Sequence, residues 1–89
     1  MRHVEITLEN MLEVSLNSIE RVKNFVNVTG KHDVNIFITD GKYIIDAKSI
    51  MGVFSLNLAK PLYVYTEPDN IKNNTKLVNS LTEFITDIQ

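Results

Sequence analysis

The stretch Lys48-Ser49-Ile50-Met51-Gly52-Val53-Phe54-Ser55-Leu56 decides how this chain is read. A serine followed at once by an apolar run is a helix start, because its hydroxyl can accept from a backbone N–H of the first turn. The run is too short to cross a membrane, which takes about 20 apolar residues. From 50 to 58 the apolar set is Ile50, Met51, Val53, Phe54, Leu56 and Leu58. A two-turn helix buries one face only, so part of this set is expected at the surface. A cluster of exposed apolar side chains marks a contact site, and methionine suits an adaptable one. Ile50 and Met51, with Lys48 and Phe54 beside them, are the candidates. The plainer alternative is that Val53, Phe54 and Leu56 are core and Ser49 is a cap and nothing more.

Upstream of this segment, Tyr43, Ile44 and Ile45 read as a strand ending near Asp46. Asp40-Gly41 before it is a hairpin signal, and Val34, Ile36 and Ile38 alternate with Asn35, Phe37 and Thr39 as the other arm. Further back, Ile19, Val22, Phe25, Val26 and Thr29 recur at helical spacing. Asn17 with Glu20 forms a capping box, or Ser18 caps instead, and Gly30 is expected at the C′ position. Glu9 to Ser15 has no clear period and reads as a loop. Val4, Ile6 and Leu8 alternate as a first strand. Downstream, Pro61 closes a loop, and Leu62 and Val64 alternate with Tyr63 and Tyr65 as the last strand. Glu67-Pro68-Asp69-Asn70 is a turn. A final helix then places Leu77, Leu81, Phe84, Ile85 and Ile88 on one face.

The order is β-α-β-β-α-β-α over residues 1–89, read as one domain. Helices alternating with strands around one hairpin predict an α+β fold, with one antiparallel sheet and helices on one face. The first strand is expected beside the fourth. Ile6, Ile19, Val22, Val26, Ile36, Leu77, Leu81 and Ile85 are expected to be buried.

Composition narrows the function classes. Hydrophobic residues make up 44% and charged residues 22%, which is globular rather than disordered. The net charge of −2 leaves no basic footprint for nucleic acid. With no cysteine there is neither a disulfide framework nor a thiolate metal site. The start lacks the apolar run of a signal peptide, so the chain is expected in the cytoplasm, with no membrane partner. His3 and His32 are too far apart for metal-ligand spacing. Glu9, Glu13 and Glu20 form no acid–base constellation, and no glycine-rich loop is present to cradle a phosphate. No metal and no cofactor are expected, and no enzymatic activity.

The element order, together with Lys48-Ser49-Ile50-Met51-Gly52-Val53, Ser55-Leu56 and Ala59-Lys60, resembles HPr, the small phosphocarrier family of the phosphoenolpyruvate:sugar phosphotransferase system. Val34-Asn35 and Gly41-Lys42 also fit the family's hairpin. The resemblance implies an HPr-like open-faced β-sandwich, four antiparallel strands with three helices on one side. It implies two sites. One is a histidine at the start of the first helix, followed by alanine, arginine and proline, which carries phosphate as a phosphoramidate. This chain has Ser18 where that histidine falls, Glu20 at the arginine and Arg21 at the proline, and no histidine between Asn10 and Thr29. A serine phosphate is a stable ester, and a carboxylate repels phosphate, so no phosphocarrier chemistry is expected. The other site is the serine of the Lys-Ser-Ile-Met-Gly motif, here Ser49. An HPr kinase/phosphorylase modifies it in the family, and the modified form binds a transcription regulator of carbon catabolite control.

The reading is a non-catalytic regulatory or adaptor protein of Crh-type character. It acts by protein–protein contact as a monomer or weak homodimer, with Ser49 as a regulatory phosphorylation site. The alternatives are a phosphocarrier with a non-standard phosphoacceptor, or an HPr-fold module with a new role. Asn57 and Pro61 stand where the family has glycines.

Overall fold

A computed structural model describes residues 10–86. Four strands form one antiparallel sheet: β1 (Leu12–Val14), β2 (Asn35–Thr39), β3 (Ile44–Asp46) and β4 (Leu62–Glu67), in the order β1-β4-β2-β3. The helices are α1 (Ile19–Thr29), α2 (Ile50–Phe54) and α3 (Thr75–Ser80), the last flanked by 3₁₀ turns at Ile71–Asn73 and Thr82–Phe84. This is the expected α+β architecture, four antiparallel strands with three helices.

The register follows from side-chain alternation. Leu12, Val64, Ile38 and Ile45 lie in one row across the sheet, and Val14 pairs with Leu62 in the next. These residues face the helices and meet Val22 and Phe25 of α1, Val53 of α2, and Leu77, Leu81 and Phe84 of the C-terminal segment in the core. Phe25 and Phe84 touch edge to face, with ring centroids 5.6 Å apart. The opposite, helix-free face holds the alternate positions. Glu13, Tyr63, Thr39 and Ile44 form one row, Tyr65, Phe37 and Asp46 the next, and Glu67 with Asn35 the last.

The first strand differs from expectation. The segment Val4 to Leu8, and with it Ile6, lies outside the described residues. The strand beside β4 comes from the segment read as a loop, because Leu12 and Val14 flank Glu13 in a buried–half-buried–buried alternation too short to stand out by period. Its other edge is also occupied. Val14 bridges Ile85, the Thr86 N–H donates to the Glu13 carbonyl at 3.0 Å, and the Ser15 N–H donates to the Phe84 carbonyl at 2.9 Å.

Four further expectations are corrected. Ile19 is 68% exposed, because α1 begins there and its buried stripe is Val22, Phe25 and Thr29, with Val26 only packed against the core's margin. The α1 cap is Ser18, whose hydroxyl accepts from Arg21 N–H, and not Asn17. Gly30 ends α1 in right-handed conformation, with φ −65°, not in the left-handed C′ form. The final helix is not continuous. Asn70 and Asn74 each turn their side chains back onto backbone N–H groups, of Lys72 and Leu77, and so start new turns instead of prolonging one. Leu77, Leu81 and Phe84 are still buried, whereas Ile85 leaves the helix for its bridge with Val14. Ile88 lies outside the described residues.

Candidate functional site

The start of α2 is built locally. Ser49 has extended backbone angles, and its Oγ accepts from Gly52 N–H at 3.2 Å. Its own N–H donates to the Asp46 carbonyl, and its carbonyl accepts from Val53 N–H at 2.9 Å. Gly52 is fixed by packing: a Cβ there would lie 2.5 Å from Ile45 Cγ2, so α2 rests directly on β3. Ser49 itself is exposed. Beyond it Ile50 is 38% exposed and Met51 77%, while Val53 is fully buried and Phe54 half-buried against the core. Lys48 does not project freely beside the serine. Its Nζ donates to the His32 carbonyl at 2.7 Å, and its N–H donates to Asp46 Oδ1.

His32 belongs to the neighbouring loop. Its Nε2 lies 2.9 Å from Ser80 Oγ, whose single proton goes to the Leu77 carbonyl at 2.7 Å. The imidazole must therefore be the donor, protonated at Nε2. Burial lowers its pKa, and the nearby Lys76 and Lys48 ammonium groups lower it further. The ring thus links the α1–β2 loop to α3. Among the described residues no group of acidic, histidine or cysteine side chains could hold a metal ion, and no helix is long and apolar enough to cross a membrane.

At the start of α1, Ser18 is an exposed cap with Ile19 and Glu20 exposed after it. Arg21 is turned inward. Its Nε donates to the Ser15 carbonyl at 2.9 Å and its Nη2 to the Glu83 carbonyl at 3.1 Å, and the guanidinium lies 5.4 Å from the centre of the Phe84 ring. The Ser18 and Ser49 positions therefore sit at two separate helix starts, α1 and α2, which pack on each other.

Asp40 is a residue the sequence reading used only for its turn. Its Oδ1 accepts from the Lys42 and Tyr43 N–H groups, and its Oδ2 from Asn57 N–H in the loop after α2. Burial raises its pKa, but these backbone donors together outweigh that and hold the carboxyl below the usual range. An Asp-Gly hairpin signal could have flagged the two local bonds. The third bridges 17 residues and has no local signature.

No protein-family model matches the sequence, and no curated protein matches it significantly. Solved structures do. HPr-C-His from Thermoanaerobacter tengcongensis superposes with TM-score 0.64 at 21% identity, over 82% of this chain and 90% of that one. The phosphocarrier protein HPr from Bacillus anthracis gives TM-score 0.59 at 27% identity, over 85% and 98%. Crh from Bacillus subtilis, a protein of catabolite repression solved as a domain-swapped dimer, gives 0.56 at 20% identity, over 98% of both chains. Element order, sheet topology and these neighbours together give the chain the HPr-like fold.

Proposed function

We propose that this chain is a non-catalytic HPr-like regulatory or adaptor protein linked to the sugar phosphotransferase system. It works in the cytoplasm by protein–protein contact, with Ser49 as its phosphorylation site. The observation that carries this reading is the pairing of an exposed serine cap with the exposed Ile50 and Met51 on the same short helix. A phosphate on Ser49 would add about −1.5 to −2 charge beside that apolar pair, giving a partner with a basic rim and an apolar pocket the means to tell the two forms apart. A carrier role has little support. Ser18 forms no transferable phosphoramidate, Glu20 opposes an anion there, and Arg21 spends two N–H groups on carbonyls.

The test is direct. Incubated with an HPr kinase and ATP, the chain is expected to gain phosphoserine at Ser49 and not at Ser15, Ser18, Ser55 or Ser80. Incubated with phosphoenolpyruvate and the general kinase of the system, it is expected to give no acid-labile phosphoprotein. Phosphohistidine on His3 or His32 would overturn the non-carrier reading, and unmodified Ser49 would remove the regulatory one.

A further inference from the structure

The helix-free face of the sheet is sorted by chemistry. Its centre is aromatic: Phe37 and Tyr65 stack across β2 and β4 with centroids 5.3 Å apart and planes at 29°, and Tyr63 stands one row along. All three are half-buried. Its charged positions are Glu13, Asp46 and Glu67, one in each row, and no lysine or arginine falls on any outward position of the four strands. The cations among the described residues lie on helices and loops; Lys48 borders the face, lining a shallow hollow with Phe37 and Asp46, and its Nζ is engaged by the His32 carbonyl. Beyond Glu67 and Asn35 the face runs into an open cleft of about 540 Å³, whose lining adds Asp33 and Asp69 and again no lysine or arginine.

Cross-strand aromatic pairs stabilise a sheet by about 0.2–1 kcal/mol whether or not anything docks on them. That role needs neither carboxylates in every row nor the exclusion of cations, and an ordinary solvated face mixes both signs. Aromatic rings ringed by carboxylates are instead complementary to cations. A guanidinium can lie flat over a ring while a neighbouring carboxylate accepts its N–H groups.

We propose that this face docks a basic segment of another protein, its arginine or lysine side chains seated over Phe37, Tyr63 and Tyr65 and paired with Glu13, Asp46 and Glu67. The surface is distinct from the α2 contact above, so one chain can hold two partners at once.

The probe is an acetylated, amidated peptide alternating arginine and valine, with a glutamate–valine peptide as control. Each is titrated into the isotopically labelled full chain at physiological salt and followed by amide NMR. Saturable shifts are expected at Phe37, Asp46, Tyr63, Tyr65 and Glu67 with the arginine peptide only. Asp46→Asn combined with Glu67→Gln, which keep the hydrogen-bonding capacity, should weaken binding about tenfold. Met51→Asp should leave it unchanged, which separates this site from the α2 reading. If the double variant fails to fold, Glu67→Lys alone, at the exposed end of β4, should weaken binding several-fold. Shifts centred on α1 or α2, affinity indifferent to these charge changes, equal binding of the glutamate peptide, or no saturable shift up to millimolar peptide would each overturn the proposal.

Discussion

The helix starts at Ser18 and Ser49 look alike in sequence and differ in structure. Each is an exposed serine whose hydroxyl caps the third residue's N–H, and each is followed by an exposed isoleucine. At α1 the first turn already holds an acid, Glu20, against the positive end of the helix dipole. Arg21 then fastens that turn to Ser15 and to Glu83, far along the chain. At α2 the first turn carries no acid, and the helix is held by contact of Gly52 with Ile45. One start already holds a carboxylate and is tied by Arg21 to carbonyls outside the helix; the other has its serine cap and its packing on β3 but no acid in its first turn. An added anion gains at the second and meets a carboxylate at the first.

Perturbing one start without the other tests this contrast. Phe84→Ala removes the ring beneath Phe25 and Arg21 and should cost about 3–5 kcal/mol in urea denaturation; the hydrogen-exchange loss should spread from α1 and the C-terminal segment before α2. Gly52→Ala acts on the other start. The new methyl group must displace Ile45, costing about 1–3 kcal/mol, and a neutral result would mean that α2 does not rest on β3. The caps should be nearly equal: Ser18→Ala and Ser49→Ala each about 1 kcal/mol. Asp substitution then splits them, with Ser49→Asp close to wild type and Ser18→Asp worse because Glu20 is adjacent.

Asp40 gives a pH-dependent version, since its Oδ2 ties the β2–β3 turn to Asn57 behind α2. Its pKa is lowered in the fold, so the ionised form is favoured there more than in the unfolded chain. The stabilisation is present above the unfolded value of about 3.9 and is lost as pH falls through the folded value. The difference in urea midpoint between wild type and Asp40→Asn should therefore be largest near neutrality and vanish in acid; a constant difference would assign the effect to shape and not charge. The smallest effect belongs to Met51→Ala. At 77% exposure it should change stability by less than about 0.5 kcal/mol. A larger loss would mean that Met51 is packed, and the contact reading of α2 would fall with it.

What the sequence disclosed follows the reach of the interactions. Ser49 as a cap, the Asp40-Gly41 turn and the β2–β3 pairing are settled within a few residues, and all could be read. Met51 at the surface was legible because a short helix has one buried face. The position of β1 was not legible. Leu12 and Val14 become a strand only because β4 lies on one side and Ile85 and Thr86 on the other. The Lys48 bond to His32 and the inward turn of Arg21 are equally invisible, since both side chains find carbonyls brought near by the fold.

The return of Ile85 and Thr86 to β1 also sets the order in which the protein can be finished during synthesis. Glu13 and Thr86 are 73 residues apart, bonded both through the backbone and from hydroxyl to carboxylate. A ribosome delivers the N-terminal partner first, and it must wait for almost everything described here before its second neighbour emerges. The β2–β3 hairpin and α2 can form while the chain is still being made, because their contacts are local. The sheet's first strand is closed on both sides only once residue 86 is clear of the exit tunnel. Nascent chains stalled short of that point should therefore stay protease-sensitive at Leu12 to Ser15 while β2, β3 and α2 are already protected.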